Sequence, residues 1–232
     1  MLELLSTIDL SPLSLSLKTG ILATVLTFFA GAGAARYVMK LSHGAKSMID
    51  GILTLPLVLP PTVAGFFLLL VFSLRRPFGA FLFEHYDFKM VQTWPGCVMA
   101  AFVISFPLMY RNARAAFEQV DVTMIHAGRT LGLSERKIFW KIVVPIAAPG
   151  LASGTVLAFA RAIGEYGATI MLAGNILGKT RTISVAIATE VAAGNWKTAG
   201  FWVWVIVILS FFMVALINLL SGKGGRKNSG WR

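Results

Sequence analysis

Charged side chains are scarce in this sequence. Asp, Glu, Lys and Arg make up 13% of its 232 residues, whereas hydrophobic residues make up 56%. A soluble globular domain carries about 25% charged residues. The mean hydropathy of +0.75 points the same way. These values exclude an ordinary soluble domain, and we expect a single all-α integral membrane domain.

Residues that commonly carry catalysis are also few. The single cysteine, Cys97, lies in an apolar run and excludes an internal disulfide. The three histidines, His43, His85 and His126, fall in separate segments without metal-ligand spacing. The sequence contains no phosphate-binding glycine loop and no nucleophile elbow. We therefore expect no enzyme, no metal site and no cofactor bound by this chain, so that any ATP and Mg²⁺ are used by a partner subunit.

Acidic residues are outnumbered, with ten Asp and Glu against 21 Lys and Arg. A net charge of +11 can indicate nucleic-acid binding, but here the cations lie between apolar runs and not along one face. A lipid bilayer explains this placement, and we expect no nucleic-acid partner. The first ten residues contain no Lys or Arg, so we expect no secretory signal there.

Five apolar runs are long enough to cross a bilayer. Their approximate bounds are Leu13–Val38, Gly51–Leu74, Val91–Tyr110, Pro145–Leu172 and Phe201–Leu220. A shorter apolar stretch, Ser184–Val191, predicts a surface or re-entrant helix. We expect residues 13–220 to form the transmembrane domain and residues 221–232 to form a basic, disordered cytoplasmic tail.

The distribution of Lys and Arg also predicts how the five spans are oriented in the membrane. Segments on one side of the membrane carry 13 Lys and Arg, and segments on the other side carry six. The positive-inside rule then predicts an N-terminus outside and a C-terminus in the cytoplasm. This orientation places Val120–Gly150, the long polar segment between the third and fourth spans, in the cytoplasm.

The segment Val120–Gly150 has the signals of a helix, a turn and a second helix. Asp121 is placed to cap a first short helix, and Gly132 to end it with a positive φ. Ser134 then caps a second short helix, and Pro145 opens the next span. A compact knob of this kind suits a groove on a partner, whereas a connector without any partner is the alternative.

The spacing of particular residues within this segment favours the partner-binding knob over a connector without any partner. It resembles the "EAA" loop of ABC-importer permeases, whose signature is Glu-Ala-Ala, three residues, Gly, nine residues and Ile-x-Leu-Pro. In this sequence the matching residues are His126-Ala127-Gly128, Gly132 and Ile142-Val143-Val144-Pro145. The small residues Ala127 and Gly128 would let another surface approach the backbone closely.

This resemblance implies residues that couple the chain to an ATPase. They are His126, Ala127, Gly128, Gly132, Leu133, Ile142 and Pro145. Since His126 replaces the usual acid, we expect the missing contact to come from Glu118 or Asp121.

Three prolines interrupt the second span, at Pro56, Pro60 and Pro61. Proline frees backbone carbonyls, which lipid does not tolerate, so this segment must face protein or a watery cavity. A broken helix here would expose N–H groups to an anion path, and a simple kink is the alternative.

Two charges inside the fourth span, Arg161 and Glu165, lie one helical turn apart. They would either guide an anion or form a structural ion pair between helices. Together with the proline segment, the candidate residues of an anion path are Pro60, Pro61, Thr62, Gly65, Arg161, Glu165, Thr169 and Asn175.

Two further segments extend the resemblance over most of the chain. LPLVLPP at residues 55–61 and FARAIGEYGATIMLAGNILGKTRTI at residues 159–183 resemble the permease subunit of molybdate ABC transporters. The resemblance implies a MetI-like ABC importer permease fold in the inner membrane, with five transmembrane helices plus a cytoplasmic coupling helix. It also implies a homodimer around one pore, two cytoplasmic ATPase subunits and an extracytoplasmic oxyanion-binding protein.

Other transporters remain as alternatives. Sulfate permeases resemble the sequence in the EAA-like segment and in the fourth span, although their proline segment differs. A sulfate, thiosulfate or tungstate permease is therefore the alternative within the ABC importers. A secondary transporter would need matching broken helices in two halves, and the sequence shows only one proline run.

Overall fold

The computed structural model describes residues 9–225, and these residues are helical without any strand. Four helices are long and apolar enough to cross a membrane, and a bent helix pair completes the five predicted spans when it is counted as one. The elements are α1 (Ser11–Val38), α2 (His43–Val58), α3 (Pro61–Phe72), α4 (Pro77–Tyr86), α5 (Trp94–Glu118), α6 (Val122–Thr130), α7 (Glu135–Ile138), a π-helical turn (Phe139–Val143), α8 (Val144–Ile163), α9 (Gly167–Leu172), α10 (Ile183–Ala192) and α11 (Trp196–Gly225).

Helices α1, α5 and α8 form the centre of the bundle. Between α1 and α5, the hydroxyl oxygens of Thr27 and Ser105 lie 3.1 Å apart in a buried hydrogen bond. The indole N–H of Trp94 donates to the Thr19 hydroxyl at 3.0 Å. Helices in lipid associate through close packing and such polar contacts, since burying apolar side chains gains little there.

The second span is broken, as the proline run predicts. The chain bends by 110° between helices α2 and α3. Leu59 and Pro60 between them have extended ψ values of 141° and 135°, and neither Pro60 nor Pro61 has an N–H to continue the helical ladder. Pro56, by contrast, lies inside α2 without ending it.

The fourth span differs from its prediction in both bounds. A single helix of 29 residues extends from Glu135 to Ile163, so Pro145 does not start a new helix and the span does not reach Leu172. The π-helical turn explains the first difference, since Val144 N–H bonds to Phe139 O and the wider turn accommodates the following proline. The chain then leaves the helix over residues 164–166, a second break that the sequence reasoning missed.

The shorter predicted segments have mixed outcomes. The apolar stretch at residues 184–191 lies within α10, a helix of ten residues, as expected. Residues 221–225 continue α11, so the predicted disordered tail is wrong for them. Its remainder, residues 226–232, lies outside the described residues.

Gly65 sets the distance between α3 and α9. A Cβ atom at this position would lie 2.6 Å from Ala168 Cα and 2.9 Å from Met171 Cβ, so Gly65→Ala must push the two helices apart. We expect a loss of about 1–3 kcal/mol in unfolding free energy, measured by thermal unfolding in detergent. Gly33→Ala is the matched control because no atom lies within 4 Å of its Cβ position. Equal melting temperatures for the two variants would contradict this packing.

Candidate functional site

The caps predicted for the 120–145 loop are present. The Asp121 carboxylate accepts a hydrogen bond from Thr123 N–H at 2.8 Å at the start of α6. That bond holds the pKa of Asp121 below its ordinary value, so the cap is ionised at neutral pH. Ser134 accepts from Lys137 N–H at the start of α7. Gly132 has a φ of +72°, which makes the turn between the two helices.

Gly128 allows the close approach that the sequence predicts, but the surface that approaches belongs to the same chain. A Cβ on Gly128 would lie 3.1 Å from Ile138 Cγ1 and from Ile142 Cδ1. Helix α6 is therefore packed on α7 and the π-helical turn. Arg129 and Glu135 add an ion pair of 2.6 Å between the two arms of the loop. The loop is consequently one body with the 29-residue helix that follows it.

The outer surface of the loop is apolar at several positions. Leu131, at the turn, is 79% exposed, and Val122 and Met124 are also exposed. His126 and Ala127 lie exposed on α6 as well, whereas Leu133 and Ile142 are partly covered. Sequence reasoning missed Leu131, Val122 and Met124, although a leucine at the tip of a polar loop is a recognisable signal of a contact surface.

The two acids expected to replace the missing glutamate are engaged elsewhere. The Glu118 carboxylate pairs with Arg114 at 2.9 Å and with Lys46 at 3.1 Å. Asp121 is occupied as the cap of α6. The structure therefore does not support either residue as a substitute for the acid that His126 replaces.

A second candidate site lies where the two helix breaks meet. A Cβ on Gly167 would lie 3.1 Å from both Pro61 Cβ and Thr62 N, so the start of α9 packs on the start of α3. Ala100 and Ile104, both inside α5, cover the inner side of this contact. The meeting point thus lies within the depth of the bundle, with Thr62 exposed on its outer side.

The predicted anion-path residues divide between this meeting point and other places. Pro60, Pro61, Thr62 and Gly65 lie at it. The Thr169 side chain is fully buried and lines no surface of this chain. Asn175 lies at the end of the bundle near α10, where it bonds to Thr189 at 2.9 Å and to Arg181 at 2.8 Å. The structure therefore separates Asn175 from the rest of the set.

Arg161 and Glu165 form an ion pair across the second break. Arg161 Nη1 lies 2.7 Å from Glu165 Oε2, with the two side chains 31% and 1% exposed. The other carboxylate oxygen, Glu165 Oε1, accepts a hydrogen bond from Ala168 N–H at 2.7 Å. Glu165 therefore ties the end of α8 to α9, which supports the structural interpretation of this pair.

Most of this sequence matches a family of known proteins. Residues 23–222 match the family described as the inner membrane component of binding-protein-dependent transport systems. The chain belongs to this family.

Individual relatives agree with the family. The permease is 38% identical over 216 residues to the molybdenum transport system permease protein ModB of Escherichia coli K12, covering 93% of this chain and 94% of that protein. It is 33% identical to ModB of Haemophilus influenzae, covering 94% and 96%. The sulfate transport system permease protein CysT of Salmonella typhimurium is 30% identical, with 91% of this chain and 76% of that protein covered.

A solved structure confirms the predicted fold class. The inward-facing methionine ABC transporter MetNI contains a chain that superposes with a TM-score of 0.67 at 14% identity, covering 93% of this permease and 94% of that chain. At this identity the likeness shows the fold alone.

In this permease the first helix of the broken span is also fixed near the loop. Asp50 on α2 lies 2.5 Å from Arg114 Nη1 and accepts from the Tyr110 hydroxyl at 2.5 Å. Arg114 bonds in turn to Glu118, at the last turn before the loop begins. The end of α5 that leads into the loop is thus tied to α2.

Replacing Arg161 with Gln removes the cation beside an almost fully buried carboxylate. We expect the unfolding free energy to fall by about 1–3 kcal/mol, since Glu165 loses its partner while water reaches the half-buried end of the pair. Thermal unfolding of the purified permease measures the loss. The double variant Arg161→Gln/Glu165→Gln should recover much of it. Unchanged stability together with lost transport in Arg161→Gln would instead make Arg161 part of the anion path.

Proposed function

We propose that this permease forms the translocation pore of an ATP-driven molybdate importer. It would act as a homodimer with two cytoplasmic ATPase subunits and an extracytoplasmic oxyanion-binding protein, and bind no cofactor itself. The substrate follows from the two molybdenum permeases, which align over more than nine-tenths of both chains. The sulfate permease is less similar and is covered over only 76% of its length, so sulfate is the second candidate.

The single observation that carries the coupling role is the exposed loop fused to a membrane-spanning helix. An exposed leucine at the tip of the loop, Leu131, is unfavourable in water and would be buried in an apolar groove on an ATPase subunit. The packing at Gly128 and the Arg129–Glu135 pair hold α6 on the following helix. A force on the tip is therefore carried along 29 helical residues, roughly 40 Å at 1.5 Å per residue.

That helix ends at the meeting point of the two breaks, where the pore would open and close. ATP binding would draw the ATPase subunits together, move the two loops and switch the pore between inward-open and outward-open states. Hydrolysis would reset it. The outer side of the meeting point exposes Val58, Thr62 and Phe66, a mixed surface that a second copy would face across the pore.

The anion would be handled without fixed positive charge. At the N-terminus of α3 the Val63 and Ala64 N–H groups already bond to Pro60 O, so the anion would be bound by the N–H and hydroxyl of Thr62, as at other broken helices. Arg161 is neutralised by Glu165, so the path would hold the oxyanion weakly enough to release it. The charge distribution supports an inner-membrane orientation with the N-terminus outside and the loop in the cytoplasm.

Leu131→Asp should uncouple the permease from its ATPase subunit. A carboxylate at the tip would have to be buried in an apolar groove, and we expect at least about a tenfold loss of the co-purifying ATPase subunit and of uptake. Leu177→Asp is the control, since Leu177 is also exposed, at 59%, but lies far from the loop. It belongs to the connection between α9 and α10, where the Thr180 carbonyl contacts Cys97 near the start of α5, and the loop follows the other end of α5. Retention of the ATPase subunit by Leu131→Asp would refute the docking role.

The substrate is tested in proteoliposomes that contain the permease, its ATPase subunit and its cognate binding protein. We expect molybdate to stimulate ATP hydrolysis and to accumulate inside, because the binding protein delivers the oxyanion that the pore has evolved to pass. Sulfate at equal concentration should give little of either. Stronger stimulation by sulfate would overturn the molybdate assignment and leave the coupling role intact.

A further inference from the structure

A pocket opens beside the loop where α1 ends. Its volume is about 430 Å³, within the usual range for small-molecule sites. Three cations, Arg36, Lys40 and Arg129, and one carboxylate, Glu135, stand among its lining residues. The remaining lining side chains are apolar, with Phe139 and Met39 among them. The pocket thus combines positively charged side chains with apolar walls.

Two of its cations, Arg36 and Lys40, are not held in an ion pair in the described structure, although the charge of Lys40 helps to lower the pKa of Glu135. Arg129 is neutralised by Glu135 at 2.6 Å. The Arg36 guanidinium lies 3.5 Å above the Phe139 ring, a contact that orients the cation without cancelling its charge. Neither Arg36 nor Lys40 takes part in an ion pair within the described part of the chain. The pocket therefore retains a charge near +2 that an anion could neutralise.

Its place at the end of a helix of membrane-spanning length would put the pocket at the level of the lipid headgroups. Arg36 is in the last turn of α1, a helix of 28 residues and membrane-spanning length. Lys40 follows two residues after that helix ends. Trp140, adjacent to Phe139 in the chain, is 59% exposed, as expected for an aromatic side chain at the membrane surface. A ligand in the pocket would reach the acyl region along its apolar side.

We propose that this pocket binds one anionic phospholipid from the leaflet on the side of the loop. The lipid phosphate would lie between Arg36 and Lys40, and the first acyl carbons would cover Met39 and Phe139. A soluble oxyanion would leave those apolar walls in water, so the walls favour a lipid. The bound lipid would fill the space between α1 and the 120–145 loop.

Native mass spectrometry of the full-length permease, released from nanodiscs of phosphatidylcholine with roughly one-fifth phosphatidylglycerol, tests this site. The wild type should retain phosphatidylglycerol in preference to phosphatidylcholine. Arg36→Gln/Lys40→Gln should reduce that retention by about tenfold, because both headgroup cations are lost. The matched control is Arg75→Gln/Arg76→Gln, which removes the same charge from the connection between α3 and α4 and should retain lipid as the wild type does.

Three outcomes would overturn the site. They are equal loss of phosphatidylglycerol in both double variants, equal retention of the two lipids by the wild type, and displacement of the lipid by inorganic phosphate, which would indicate a soluble anion. If Arg36→Gln/Lys40→Gln does not fold, Lys40→Gln serves alone, since its side chain is exposed. It should lose part of the retention, and wild-type retention in this single variant would refute the proposal.

Discussion

The structure depends on one constraint, which is that lipid offers no hydrogen-bond partner to a backbone that leaves its helix. Inside the predicted spans, the described part of this permease leaves the helix at residues 59–60 and at residues 164–166, and these two breaks pack on each other. Gly65 and Gly167 remove the side chains that would keep α3 and α9 apart. Glu165 then supplies an acceptor for Ala168 N–H. The irregular backbone is tolerated because protein, not lipid, surrounds it on the inner side.

The same contact explains why the two breaks can work as one unit. The helix before the second break begins in the 120–145 loop, so motion of the loop would reach that break along one continuous helix. Glu165 then links the break to α9. The helix before the first break, α2, is fixed to the last turns of α5 by the Asp50 and Arg114 pair. The first route begins in the loop and the second at the end of α5 that leads into it, and both lead toward the contact of α3 with α9. A displacement at the loop would therefore change the meeting point from two directions.

Sequence reasoning reached the fold class, the five spans and the caps of the loop because each has a local signal. Asp121, Gly132 and Ser134 act within a few residues of themselves, and the proline run breaks its helix wherever it is placed. The second break has no such signal, since glycines such as Gly164 and Gly167 are common in continuous membrane helices. Only the close approach of Gly167 to Pro61 and Thr62 shows what this segment does in the fold. For the same reason, sequence reasoning predicted a close approach at Gly128 but not which surface makes it. Its smallness is visible in the sequence, whereas the identity of the surface that packs on it is a tertiary fact.

The π-helical turn shows how the backbone can override a local rule of helix starts. Pro145 lacks an N–H, and the sequence rule places it at a helix start. Here the preceding turn widens so that Val144 bonds to Phe139, and the helix continues through the proline. A helix interrupted at that position would have left the loop free to swing against the membrane domain. Because it is continuous, the packed loop and the break at Gly164 lie at the two ends of one helix, and in the proposed coupling role that continuity would let the loop transmit force.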